Sequence, residues 1–168
     1  RSGGRLTELG VRMIAEMNQA GILIDLAHSN DPCALDVIDI SEVPVVDTHS
    51  GPRALSPDDS RAMPDEVMRA ISKQGGMLGI SPPISRPPGE APFDTIDPEE
   101  MATTLKQLHY AVNIMGVEAV GIGTHFTTAI MPAMPDALLD DGFSEEDTAA
   151  MMGGTFLRVL RQVLPKEE

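Results

Sequence analysis

Three of the four histidines in this sequence stand just past short apolar runs. His28 closes L-I-D-L-A-H, His49 closes V-P-V-V-D-T-H, and His125 follows G-I-G-T. Imidazole nitrogen is a good ligand for zinc and similar borderline ions. A single histidine at a strand end is most often a hydrogen-bonded structural residue; three at one edge of one sheet make convergence on an ion the stronger reading. If the runs are neighbouring parallel strands, their carboxyl ends lie one strand spacing apart. That edge is where strand–helix barrels and open α/β sheets bind ligands. The spacing alone is a weak signal, because no local motif such as H-E-x-x-H is present. The remaining histidine, His109, falls mid-helix beside an apolar stripe and reads as a surface or boundary residue.

The elements that must position these residues follow from periodicity. Leu6, Leu9, Met13 and Met17 predict a first helix from Thr7, with Gly21 as its stop. The nearly unbroken apolar run Ile22 to Leu26 predicts a strand buried on both faces. Asn30, Asp31 and Pro32 open a second helix reaching to Ile40, and Val43 to Asp47 predicts a second strand. The stretch from His49 to Arg61 is rich in Pro, Ser and Asp and reads as irregular. Pro64, Asp65 and Glu66 begin a third helix with Val67, Ala70 and Ile71 as its buried stripe, ended by Gly75 and Gly76. Met77 to Ile80 is a third strand, and Ser81 to Pro92 a stiff, proline-rich excursion. Asp97 starts a helix whose stripe is Met101, Leu105, Leu108, Val112 and Met115, stopped by Gly116. Glu118 to Gly123 is a fourth strand. Ser144 with Asp147 forms a capping box, and the chain bends at Gly153 and Gly154 before the last helix. Helix then strand, four times over, means a parallel sheet with right-handed crossovers. Four strands cannot close a barrel that needs eight, so the fold class is α/β: a small open sheet or half of a (β/α)8 barrel.

Composition bounds the function. At 168 residues the chain fits one domain, residues 1–168, with a core of aliphatic residues and Met, since aromatics are 3% and Met numbers 11. A formal charge of −14 argues against nucleic acid and anionic lipid, both of which need clustered Lys and Arg. No apolar run approaches the roughly 18 residues a membrane span needs, and no secretory leader is visible. The single Cys33 allows no internal disulfide and reads as a small buried residue. The Met-rich tracts at 131–134 and 151–152 read as packing, and Asp140, Asp141, Glu145, Glu146 and Asp147 as a solvated acidic face.

Several motifs together resemble the membrane (renal-type) dipeptidase family, peptidase family M19, zinc metallopeptidases on a TIM-like barrel. They are L-T-E-L-G-x-x-M-I-A-E-M-N, G-I-L-I-D-L-A-H, P-V-V-D-T-H-S-G-P-R-A-L, R-A-M-P-D-E-V, G-G-M-L-G-I, G-V-E-A-V-G-I-G and G-F-S-E-E-D-x-x-x-M-M-G-G-T-F-L-R-V-L. They cover nearly the whole chain in order, and the resemblance implies the carboxyl-terminal half of that barrel. It places His28 and His49 as ligands of one of two zinc ions. Arg61, allowing one inserted loop residue, would hold the substrate's terminal carboxylate, for which a planar guanidinium is suited; a solvated loop Arg is the even alternative. His125 stands where the family carries the aspartate that serves the catalytic water and proton transfer, and an imidazole can shuttle protons near neutral pH.

The resemblance also implies what the site lacks. The family's His-x-Asp motif, bridging glutamate and a substrate-binding histidine precede the position of Arg1, so at most one zinc site is half-formed here. Asp47 stands where the family carries a small or apolar residue; it either orients His49 or, the favoured reading, caps the strand end toward solvent. The leading function is thus a zinc-dependent dipeptidase, hydrolysing a small dipeptide by metal-activated water and incomplete without those ligands. The alternative is a non-catalytic half-barrel acting as a homo-oligomer or binding module, since an open sheet leaves unpaired edges. A deaminase- or phosphotriesterase-like barrel fits the histidine placement but fits the motifs less well.

Overall fold

A computed structural model describes residues 3–83, 97–125 and 128–165. Its helices are α1 (Glu8–Ala20), α2 (Asp31–Ile40), α3 (Asp65–Lys73), α4 (Pro98–Met115), α5 (Met134–Asp140), α6 (Glu145–Ala149) and α7 (Thr155–Val163). The strands are β1 (Val46–Ser50), β2 (Met77–Ile80) and β3 (Val120–Ile122), all parallel in the order β1-β2-β3. The expected α/β class of parallel strand–helix repeats therefore holds.

The helix starts are local chemistry. The Thr7 hydroxyl accepts from Gly10 N, Asn30 Oδ1 from Cys33 N, Asp97 from Glu99 N and Ser144 Oγ from Asp147 N, each satisfying a donor that the first turn leaves open. Gly21 ends α1 at φ 67°, the left-handed conformation that glycine adopts most cheaply. The large core cluster takes Val67, Met68 and Ile71 from α3, Leu108, Ala111 and Met115 from α4, and Leu78 and Ile80 from β2. On the other side Val46 and Met77 pack against Val159 and Val163 of α7.

Several expectations are corrected. Ile22 to Leu26 forms no strand: a single bridge joins Asp25 to Val46, and Ile22 is half exposed. The Asp25 carboxylate folds back onto Ala27 N and turns the chain out of line. The second strand begins at Val46 rather than Val43, because Val45 N donates to Gln74 Oε1 instead of to a neighbouring strand. In α1 the buried residue is Ile14, while Leu9 and Met13 are 61% and 54% exposed. The face α4 buries is Glu100, Thr104, Gln107, Leu108, Ala111 and Met115, more polar than its apolar periodicity suggests. The fourth expected strand is shortened to Val120–Ile122 by a 3-10 turn over Val117–Ala119. The bend before the last helix sits at Gly153, with φ 149°. Helix α5 was not anticipated. The proline-rich stretch lies outside the described residues from position 84 onward. Among the described residues no helix is long and apolar enough to cross a membrane.

Gln74 links two elements at the foot of the sheet. Its Nε2 faces the carbonyls of Ile38, Ser41 and Val43 at 3.1, 3.1 and 3.3 Å, tying the end of α2 to the approach to β1.

Candidate metal centre

The three histidines expected at strand ends meet, although among the described residues no strand precedes His28, and His49 lies within β1. The ring nitrogens of His28, His49 and His125 offer one ligand atom each, all within 4.8 Å of one another. His28 Nε2 lies 3.1 Å from His49 Nε2. The His49 ring stacks on His125, with centroids 4.4 Å apart and planes 9° from parallel. Both His28 and His125 have positive φ, 68° and 51°. A non-glycine residue held in the left-handed region costs on the order of 1–3 kcal/mol, and such residues cluster at functional sites.

His49 is placed by a break in β1. The register of β1 against β2 shifts between Asp47 and Ser50, which takes Thr48 and His49 out of regular alternation. The Thr48 carbonyl then presses on the neighbouring strand ends. A Cβ at Gly79 would stand 2.3 Å from Thr48 O, and one at Gly123 only 2.0 Å away. Only glycine fits at either place. Asp47 is 2% exposed, so it does not cap the strand end toward solvent. Its Oδ1 accepts from His49 N and its Oδ2 from Ser50 Oγ, so it braces the backbone of the break.

The orientation of the His49 ring comes from residues not singled out by sequence reasoning, Asp25 and Thr48. The Thr48 hydroxyl lies 2.7 Å from Asp25 Oδ2 and 2.7 Å from His49 Nδ1, and Asp25 Oδ1 also accepts from Thr48 N. An ionised carboxylate only accepts, so the Thr48 O–H points to Asp25 and its oxygen accepts from His49 Nδ1–H. In the neutral ring Nε2 then carries the lone pair, and it faces His28. Backing of this kind from a carboxylate fixes the tautomer of a ligating histidine.

The donors suit a borderline metal ion. Metal–nitrogen bonds of about 2.0–2.1 Å in a tetrahedral site set two ligating nitrogens roughly 3.3–3.4 Å apart, close to the 3.1 Å between His28 and His49. Burial lowers the His125 pKa, and the neighbouring His49, Arg61 and His28 lower it further, so its ring favours the neutral, ligating form.

Arg61 does not join the histidines directly. It folds onto its neighbour, with Nε 3.2 Å from Asp59 Oδ1 and Nη2 3.1 Å from Asp59 Oδ2. It nonetheless shares with His49 a small cavity of about 60 Å³ that is also lined by Gln107. The other loop arginine, Arg53, is structural: its guanidinium pairs with both Asp31 oxygens at 2.6 and 2.7 Å and donates to Ala62 O. Gln107 was missed by sequence reasoning. It is 5% exposed, and its Oε1 has no hydrogen-bond partner among the described residues. The signal for it was a polar residue directly before Leu108 of the α4 stripe. His109 is a surface residue as expected, bonded to Asp141 at 2.6 Å and stacked on Phe143; Asp141 of the acidic face is therefore paired. Met134 is fully buried, in keeping with packing, and Cys33 is half-buried against the core.

Comparison with known proteins gives the family. The family model for membrane dipeptidase, peptidase family M19, matches residues 1–167. The chain belongs to the M19 membrane dipeptidase family. It is 30% identical to Dipeptidase aclJ of Aspergillus oryzae over 97% of this chain and 40% of that protein. It is 26% identical to human Dipeptidase 3 over 94% of this chain and 33% of that one. Among solved structures it resembles a metallopeptidase from Rhodobacter sphaeroides liganded with a phosphinate mimic of the dipeptide L-Ala-D-Ala. That match has a TM-score of 0.79 at 27% identity, over 96% of this chain and 48% of the other. An amidohydrolase from Pseudomonas aeruginosa matches with a TM-score of 0.82 at 26% identity, over 97% and 59%. This M19 chain thus spans between a third and three-fifths of the length of these relatives. Its strand–helix repeats correspond to about half of their barrel.

Proposed function

We propose that this chain is the carboxyl-terminal half of a zinc-dependent M19 dipeptidase barrel and supplies one side of its active site. The observation that carries the reading is the convergence of His28, His49 and His125 nitrogens within 4.8 Å, with the His49 tautomer set by Thr48 and Asp25. His28 and His49 would hold the ion through their Nε2 atoms. A divalent ion there supplies Lewis acidity, polarising a carbonyl and making water acidic enough to react near neutral pH.

The chain's own residues do the remaining work. Thr48 and Asp25 keep the His49 proton on Nδ1, so that its other nitrogen stays available. Arg61, positioned by Asp59 at the rim of the cavity, takes the terminal carboxylate of a dipeptide through its planar fork. That holds the peptide bond against the histidines. His125, at the place where the family keeps its acid–base residue, holds or delivers the proton moved in hydrolysis. The substrate class is a dipeptide, in line with the dipeptide mimic bound by the Rhodobacter sphaeroides relative.

The reading is tested by hydrolysis of a panel of L-L and L-D dipeptides by zinc-loaded protein, with H28A and H49A as controls. Turnover that both substitutions abolish supports it. A flat panel on loaded protein sinks it and favours a non-catalytic half-barrel that works as a homo-oligomer or binding module. For that second reading speak the exposed apolar side chains Leu9, Val11, Met13 and Ile22 in and just after α1.

A further inference from the structure

We propose that His125 is itself a metal ligand, so that this chain carries a three-imidazole centre for a single ion. The inference rests on the metal reading above and changes the role of the third histidine within it. Among the described residues, the only group of side chains able to hold an ion is His28, His49 and His125, with no carboxylate in it. The acid of β1, Asp47, and that of the segment bridged to it, Asp25, serve other groups. Asp25 serves Thr48 and Ala27 N, and Asp47 serves His49 N and Ser50.

The backbone brings His125 to the other two. Like His28, it sits at positive φ, here three residues past the end of β3, a conformation that needs support from its surroundings. Gly123, two residues earlier, lets that strand end close on the Thr48 carbonyl. The His125 ring is stacked on His49 at 4.4 Å, and two parallel stacked rings cannot both direct in-plane lone pairs at one ion. Ligation by His125 therefore requires its ring to turn about the Cβ–Cγ bond out of the stack when the ion binds. Three neutral nitrogens plus one open position is the donor set of a catalytic zinc site. It selects zinc, cobalt, nickel or copper over magnesium, calcium or manganese, which prefer oxygen. Three neutral ligands leave the charge of a divalent ion uncompensated, so the open position would favour an anionic ligand such as a carboxylate.

The test is metal binding by the full chain, without reference to turnover. Apo protein is titrated with Co2+ and Zn2+ against a chromogenic chelator, and the imidazoles around bound zinc are counted by X-ray absorption. The expected result is one ion per chain with three imidazoles, no competition from Mg2+ or Ca2+, and two imidazoles in H125A and H125N. Affinity in those variants should fall by more than the roughly 10- to 100-fold that loss of an outer-shell partner costs. Thermal melts report whether the variants fold, and the wild-type count stands without them. Two imidazoles in the wild type, with affinity unchanged in H125A and H125N, would overturn the inference while leaving His28 and His49 as ligands. Zinc binding no better in the wild type than in H28A would overturn both.

Discussion

The hydroxyl of Thr48 lies 2.7 Å from Nδ1 of the adjacent His49, although successive residues of a regular strand point to opposite faces. The register break of β1 makes the contact, and Asp25 completes it from the neighbouring segment. Thr48→Val keeps the shape and removes the hydroxyl. Zinc affinity should then drop about 10- to 100-fold, the usual cost of losing an outer-shell partner, and Thr48→Ser should restore it. Chelator competition measures both, and nitrogen chemical shifts of the His49 ring report the tautomer directly.

Gly123→Ala should damage stability and site together. Its new methyl would stand 2.0 Å from the Thr48 carbonyl, and overpacking of this kind costs about 1–3 kcal/mol. The carbonyl can escape only by moving Thr48, and His49 with it. A lowered urea midpoint accompanied by weaker zinc binding is the expected pair of results; a lowered midpoint with unchanged binding would separate Thr48 from the metal site.

Acid should weaken the metal-free fold through His125. Its pKa is lowered from the ordinary 6.5, first by burial and then by His49, Arg61 and His28. The folded state therefore binds fewer protons than the unfolded state between the two values. This histidine's contribution to stability is present above the unfolded pKa and is lost as pH falls through that value toward the folded one. Metal-free wild type should lose more stability than H125N between pH 7 and pH 5, read from paired denaturation curves. Equal losses would show that His125 titrates normally.

Gln107 is expected to act on substrate rather than on the fold. Its Oε1 is buried without a partner among the described residues, beside the cavity shared by His49 and Arg61. A buried unsatisfied acceptor costs about 1–3 kcal/mol. Gln107→Met should therefore leave the melting temperature unchanged or raised, yet raise KM for a dipeptide with little change in zinc affinity. An unchanged KM would reduce Gln107 to a packing residue.

What was legible in the sequence follows a physical division. Caps and stops were readable because they are local: Thr7, Asn30, Asp97, Ser144 and Gly21 act within a turn of where they stand. The meeting of His49 and His125 was readable because parallel strands bring their carboxyl ends to one edge; His28 joins them without a strand before it, since its segment is held to β1 by the single bridge of Asp25 to Val46. The expected strand at Ile22 to Leu26 failed because its apolar composition says nothing of Asp25, which bonds to Ala27 N and Thr48 instead of continuing a ladder. The register break was equally hidden, since it depends on Asp47 meeting Ser50 and on two glycines meeting one carbonyl. Gln74, which holds the approach to β1 by contacts some thirty residues away in sequence, leaves no local signature.

The break between Asp47 and Ser50 also divides the strand into two jurisdictions. Before it, Val45 and Val46 are fully buried and answer to the apolar core. Within it, the His49 backbone N–H donates to Asp47 and the His49 ring bonds Thr48, which Asp25 backs in turn, and none of these reads the size of a core side chain. Core residues of β1 and β2 can therefore drift among aliphatic types of similar volume while the imidazole keeps its aim. The reverse also holds: the polar trio can be lost to substitution in a chain that still folds, leaving a well-packed half-barrel whose metal seat has gone.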